Sequence, residues 1–241
     1  MLKPGALAAL FLALLPAGCE TAGPYGDVLR GIQLPQSSPL TAAEIDAGLR
    51  EALTLGTGNV ATQLGRTNGY FGDPKIRIPL PKTYRDIQTS LARIGASGPL
   101  DDVELRINRA AEASVPEART LIVGAIRSMT IEDALGILRG GDTAATDFLR
   151  SRTESQLTAA FTPHVRSALA SSGAFTALES FAGSAGLGGA TSGLQADLTS
   201  HAVKLGLDGI FFYVAEEERK IRENPLARTT DLLRKVFGAS V

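Results

Sequence analysis

The sequence predicts an all-α protein, a compact bundle of about eight to nine helices. From Thr41 onward, apolar residues recur every three or four positions, which is the repeat of a helix that buries one face. Residue pairs of the kind that cap helix starts precede several of these runs. The one alternating stretch, 76–80, is short and interrupted by proline, so it predicts an extended edge or packed loop rather than part of a sheet.

The first 18 residues have the features of a lipoprotein-type signal peptide. Lys3 supplies a positive charge, ten apolar residues follow at 6–15, and Ala17 and Gly18 stand before Cys19. Ten residues span about 15 Å as a helix, half of the roughly 30 Å hydrocarbon layer, so this stretch is short for a permanent membrane span. We therefore predict cleavage before Cys19 and acylation of that residue. An ordinary secretory signal that is cut nearby is the alternative.

An acylated Cys19 would anchor the protein by lipid to the bacterial cell envelope, with its body outside the bilayer. Lipoproteins with Asp after the cysteine are retained at the inner membrane, whereas Glu20 here favours the periplasmic face of the outer membrane. Residues 19–40 are rich in glycine, proline and serine, which predicts a flexible tether. The remainder, 41–238, is predicted to be a single helical domain.

The first predicted helix begins at Thr41, whose spacing from Glu44 is that of a capping box. It is expected to end or bend at the glycines of 56–58. The extended segment follows, and a short helix closes before the loop at 95–99.

Four further helix starts are predicted from caps and prolines. Pro116 and Pro163 should each begin a new helix, because proline breaks the hydrogen-bond ladder of a helix interior. Ser114, three residues before Glu117, supports the first of these starts as a capping box. Thr130 with Asp133, and then Asp142, stand where caps of the next two helices are expected.

The last third of the chain is predicted to form a glycine-rich loop, a central helix and a short final helix. Residues 183–193 form the predicted loop. Within it, residues 186–188 begin like a phosphate-binding GxGxxG pattern, but no strand precedes them and Thr191 stands in place of the last glycine. Residues 194–214 are apolar nearly all round, which is typical of a helix at the centre of a bundle. The same helix is expected to continue through the charged residues 216–222 and to end at Asn224 and Pro225.

Composition excludes several classes of function. A net charge of −1, from 24 basic and 25 acidic residues, argues against nucleic acid as a partner. One cysteine and two histidines, His164 and His201, provide no zinc or di-iron ligand pattern, so we predict no metal and no cofactor. No GxSxG nucleophile motif is present.

The remaining polar candidates are carboxylates, arginines and small polar side chains. If they converged in a cleft, the carboxylates could act as acid and base, and the arginines could hold an anionic ligand. Alternatively they are structural, with Glu112 paired to Arg109 and Glu218 to Arg222. The candidates are Asn108, Arg109, Glu112, Asp142, Thr146, Glu217, Glu218, Arg222 and Arg228.

Four motifs, in the segments 108–112, 129–134, 140–147 and 217–233, together resemble the bacterial domain-of-unknown-function family 4197. The resemblance covers about residues 40–238. It implies a helical, exported and often lipid-anchored protein, and it brings no established activity or catalytic residues.

These observations predict a lipid-anchored envelope protein with a non-catalytic helical module that binds a protein partner or a ligand. Two alternatives remain. One is an envelope enzyme with a carboxylate-based site, and the other is a carrier of an apolar ligand. A polar cleft with unpaired carboxylates would favour the first, and a sizeable dry cavity would favour the second.

Overall fold

The computed structural model describes residues 40–171, 191–224 and 230–238. These residues form seven helices and contain no strand, which confirms the predicted all-α class. The helices belong to one compact unit, Leu40–Val241.

Several predicted features lie outside the described residues. These are the signal peptide, the tether up to residue 39 with Cys19, the glycine-rich loop up to residue 190, and Arg228.

We number the helices in chain order. They are α1 (Ala42–Leu64), α2 (Lys82–Ala92), α3 (Gly98–Arg127), α4 (Ile131–Arg139), α5 (Ala144–Ser171), α6 (Thr191–Glu223) and α7 (Asp231–Gly238).

Two predicted capping boxes are confirmed. At the start of α1, the Thr41 hydroxyl accepts the Glu44 amide at 3.2 Å, and the Glu44 carboxylate accepts the Thr41 amide at 2.9 Å. The same reciprocal bonds join Thr130 and Asp133 at the start of α4, at 3.0 and 2.8 Å. Each box satisfies amides that have no partner inside their own helix.

The predicted count of eight to nine helices is too high for the described residues, because both prolines lie inside continuous helices. Pro116 is within α3 and Pro163 is within α5. Ser114 does not cap a helix: it is buried in α3, and its hydroxyl donates to the Ala110 carbonyl at 2.7 Å. Likewise α1 continues through the glycines of 56–58 to Leu64.

The phase of the buried residues explains this continuity. In α5 every fourth residue is buried on both sides of the proline, so one continuous helix buries the whole stripe while the proline itself is exposed. The stripe consists of Leu149, Thr153, Leu157, Phe161, Val165 and Leu169. Tertiary burial therefore outweighs the local cost of proline.

The core lies where α3, α5 and α6 pack together. Helix α5 packs against α3 and α6, and α1 packs against α3, α4, α6 and α7. Leu207, Ile210 and Phe211 of α6 are almost fully buried, in agreement with the predicted central helix. No described helix is both long and apolar enough to cross a membrane.

The segment 65–81, between α1 and α2, packs into this core without forming a strand. Ile76, Ile78 and Leu80 are buried, and Arg77 between them is exposed, as the alternation predicts. The segment can approach α6 closely because residue 209 is glycine: a β-carbon there would lie 2.8 Å from the Tyr70 ring.

Candidate functional site

The described polar candidates form two separate clusters instead of one cleft. The first cluster, on α3, consists of Asn108, Arg109 and Glu112, and it holds the segment 65–81. The fully buried Asn108 accepts the Ile78 amide at 2.9 Å and donates to the Ile78 carbonyl at 2.8 Å. It thus pairs with the extended segment as a neighbouring strand would.

Glu112 completes this cluster. Its side chain is 5% exposed, and one carboxylate oxygen accepts the amides of Tyr70 and Phe71 at 3.1 and 3.2 Å. Its other oxygen accepts from Arg109 at 2.7 Å. Arg109 also donates to the side chain of Asn68 at 2.8 Å, and Asn68 has the left-handed φ of 66°. Backbone bonds such as that from the Gly72 amide to the Asn68 carbonyl also close this turn, and the carboxylate supplies the acceptor for its Tyr70 and Phe71 amides.

Helix α6 holds the same segment by two tyrosines. The Tyr70 hydroxyl donates to the Gly206 carbonyl at 2.7 Å, and burial raises the pKa of Tyr70. The Tyr213 hydroxyl donates to the Asp73 carboxylate, and burial, followed by this contact, raises the pKa of Tyr213 to about 12. Both hydroxyls stay protonated as donors at neutral pH.

The second cluster consists of Thr146, Glu218 and Arg222. Glu218 is 5% exposed, and its carboxylate accepts the amides of Ala145 and Thr146 at 3.0 and 2.9 Å and the Thr146 hydroxyl at 2.8 Å. Arg222 donates to the same carboxylate at 2.9 Å and to the Ile137 carbonyl at 2.9 Å. A carboxylate of α6 thus caps the start of α5, where the helix dipole favours a negative charge.

The two remaining described candidates lie nearer the surface. Glu217 accepts from Asn59 at 2.9 Å and from Lys220 at 2.6 Å. Asp142 is exposed in the turn before α5, and Thr143, which directly precedes the helix, bonds Asp147 at 3.0 Å. The structure therefore does not bring Asp142 and Glu217 together with either buried cluster as a shared cleft.

The geometry of the buried carboxylates is that of structural ties. Glu104, Glu112 and Glu218 each accept hydrogen bonds from at least two other residues. A general base needs a lone pair that faces a substrate. In these three side chains the carboxylate oxygens face amides, arginines or a glutamine of the chain itself.

The two histidines do not join a cluster of ligands. His164 lies 3.5 Å from Glu117, and His201 contacts the Pro79 carbonyl at 2.8 Å. Within the described part of the chain, no three His, Cys, Asp or Glu side chains are placed to share a metal ion.

A groove of about 500 Å³ lies between α5 and α6, and we call it the α5–α6 groove. Its α5 wall repeats every fourth residue, one position after the buried stripe. The lining residues are Glu154, Thr158, Thr162, Arg166, Ala196, Thr199, Ser200, Val203, Lys204 and Leu207. Sequence reasoning missed this site, because threonine, serine and alanine carry no motif; the four-residue repeat beside the buried stripe was the available signal.

Charges at one end of the groove neutralise one another. Lys204 and Arg150 both bond Asp208, at 2.8 and 2.9 Å, and Arg150 lies 3.5 Å from Glu154. Partial burial alone would raise the pKa of Asp208, but hydrogen bonds from Lys204 and Arg150 lower it overall. Two cations and two carboxylates therefore balance at this end.

The other end of the groove carries an unbalanced cation. Arg166 is exposed and makes no ion pair with any residue that the structure describes. Thr146, at the start of α5, bonds Glu218 near the end of α6, and Arg150, four residues later in α5, pairs with Asp208, ten residues earlier in α6, so the helices run antiparallel. Arg166 therefore lies at the end of the groove away from the Lys204 network.

A family model described as "Protein of unknown function (DUF4197)" matches residues 39–238. No curated protein and no solved structure matches the chain.

Proposed function

From the premise that this chain belongs to the DUF4197 family of proteins of unknown function, we propose that it is a lipid-anchored envelope protein whose helical body is a non-catalytic binding module. The observation that carries the proposal is the α5–α6 groove. It joins an apolar floor to polar walls and ends at the guanidinium of Arg166, which makes no ion pair with a residue that the structure describes, a combination typical of ligand sites.

The assignment of a binding role instead of catalysis rests on the buried carboxylates. Glu112 and Glu218 accept hydrogen bonds from backbone amides and arginines, so these carboxylates stabilise the fold. The groove itself has one carboxylate in its described lining, Glu154, which lies beside Arg150. This arrangement supports binding better than acid–base chemistry.

The lipid anchor is supported by sequence. A charged start, ten apolar residues and small residues precede Cys19, the chain's single cysteine. The proposed location is the cell envelope, with the periplasmic face of the outer membrane favoured by Glu20.

Native mass spectrometry of the full-length protein, extracted mildly from its own membranes, tests the binding role. We compare the wild type with Ser200→Trp, which fills the groove, and with Ser155→Trp, an exposed change on α5 outside the groove lining. The expected result is a retained mass in the wild type and in Ser155→Trp that is absent from Ser200→Trp. Spectra with no retained mass, or with one that Ser200→Trp keeps, would contradict the proposed site.

A further inference from the structure

We infer that the α5–α6 groove takes an elongated amphiphile with one anionic head, the chemistry of a long-chain fatty acid, with its carboxylate at Arg166. The inference rests on the proposed function and names the ligand class of the same site.

The shape of the groove selects an elongated ligand. Its α5 wall runs from Glu154 to Arg166 along one face of the helix. At a rise of about 1.5 Å per residue, this wall is about 18 Å long. A volume of about 500 Å³ spread over that length leaves a narrow slot, which suits a single extended chain better than a fused ring system.

The lining of the slot favours an aliphatic chain. Val203 and Leu207 are buried at its floor. The Thr162 hydroxyl donates to the Thr158 carbonyl at 2.7 Å, so its proton is held by its own helix. No aromatic side chain is among the described lining residues, so nucleobases lack an aromatic surface on which to stack.

The charges give the ligand a direction. At one end, Lys204 and Glu154 belong to the network around Arg150 and Asp208, whose two cations and two carboxylates carry no net charge. At the other end, Arg166 offers a planar fork of donors, which matches a carboxylate in bidentate geometry. Within the described ranges Arg166 has no carboxylate partner, so it can take one anionic head, and the chain then extends toward the neutral end.

The test measures binding to the full-length protein of three probes: palmitate, hexadecanol, which has the chain without the charge, and acetate, which has the charge without the chain. We expect palmitate to bind most tightly. Arg166→Gln should weaken palmitate binding by about tenfold or more, through loss of a charge-assisted hydrogen bond, and leave hexadecanol unchanged. The matched control, Arg85→Gln, changes an exposed arginine outside the groove lining and should bind palmitate as the wild type does.

The outcomes separate the ligand class from the binding role. Failure of palmitate to bind, or equal palmitate affinities in wild type and Arg166→Gln, would overturn the fatty-acid inference. If Ser200→Trp then still removes a retained mass that palmitate does not displace, the groove binds another ligand and the proposed function stands. If no retained mass exists either, both fail.

Discussion

At the scale of single residues, Glu218 supplies hydrogen bonds that no neighbour in sequence provides. The first amides of α5 lack acceptors in their own helix, and the Glu218 carboxylate accepts two of them. Arg222 neutralises that carboxylate and also reaches the end of α4 through the Ile137 carbonyl. One buried ion pair therefore joins α4, α5 and α6.

Replacing Glu218 by alanine should lower the free energy of unfolding by about 3–5 kcal/mol, because the change removes the buried carboxylate to which Arg222 and two helix amides donate. Glu217→Ala, one residue earlier, removes a partly buried carboxylate that accepts from Lys220 and Asn59 but holds no helix amide, and should cost less, about 1–2 kcal/mol. Urea unfolding of both variants measures the difference in the free energy of unfolding. The dependence of that free energy on urea concentration should match that of the wild type. Equal losses would show that Glu218 is not a central tie.

These residues also show what sequence can and cannot reveal about the polar clusters. The local pairs, Arg109 with Glu112 and Arg222 with Glu218, follow from helical spacing, and the structure contains both. The bonds from Glu218 to Thr146 join residues 72 positions apart, so no local spacing predicts them. For this reason the sequence indicates a candidate site, whereas in the structure Glu112 and Glu218 accept hydrogen bonds from backbone amides that are distant in sequence.

At the scale of elements, two opposing effects decide where a helix ends: the local cost of a proline and the burial gained by a continuous apolar stripe. Thr130 with Asp133 was predicted as a start because the signal and its effect are both local. The prediction that Pro116 and Pro163 begin new helices is wrong. Their local cost is offset by burial against α6 and other helices that are distant in sequence. The repeat of buried residues continues unbroken through both prolines, and this was the better guide.

Pro116→Ala should therefore stabilise the protein. Proline in a helix interior costs about 3 kcal/mol relative to alanine, and its rigidity in the unfolded chain returns about 1 kcal/mol, so the expected gain is about 2 kcal/mol. Pro99→Ala is the control, because Pro99 lies in the first turn of α3, where proline is compatible with a helix. Denaturant unfolding should show a gain for Pro116→Ala and none for Pro99→Ala; the reverse order would contradict a helix that is strained at 116.

The cap of α1 predicts a dependence of stability on pH. The hydrogen bond from Lys235 of α7, followed by the backbone bond from Thr41, lowers the pKa of Glu44 from 4.5 to about 2. Because the folded pKa is lowered, this contribution is present above about pH 4.5 and is lost as the pH falls toward 2. Glu44→Gln should therefore unfold at a lower temperature than the wild type at pH 7, and the difference should narrow below pH 4.5.

Thermal unfolding midpoints between pH 7 and pH 2 measure this effect. In a Lys235→Gln background the effect of Glu44→Gln should be smaller, because the partner that contributes most to the pKa shift is gone. A difference between wild type and Glu44→Gln that stays constant across this range of pH would show that the Glu44 charge does not support the contact between α1 and α7.

At the scale of the whole molecule, the ties and the groove occupy different parts of the α5–α6 pair. Glu218 and Thr146 fasten the end where α5 begins, and the Arg150 contact with Asp208 follows. The groove begins beyond these contacts, at Glu154, and reaches Arg166. Because the fold is held elsewhere, changes to Arg166 or Ser200 can alter binding while the body stays folded, which makes the groove variants informative.

The anchor can be tested independently of the groove. Acyl chains on Cys19 would hold the protein durably, at about 0.8 kcal/mol for each buried methylene, whereas a chain with a net charge of −1 has no overall positive charge to attract it to an anionic membrane. Cys19→Ala should therefore move the protein from the membrane fraction to the soluble fraction after a high-salt wash, with an unchanged unfolding midpoint. Ser38→Ala, a change in the predicted tether, should leave it in the membrane fraction.

The mass of the N-terminus must be read in the same sample, because an uncleaved leader could hold the variant in the bilayer by its apolar stretch. If residues 1–18 have been removed and Cys19→Ala protein still sediments with membranes, the attachment does not depend on a lipid at Cys19.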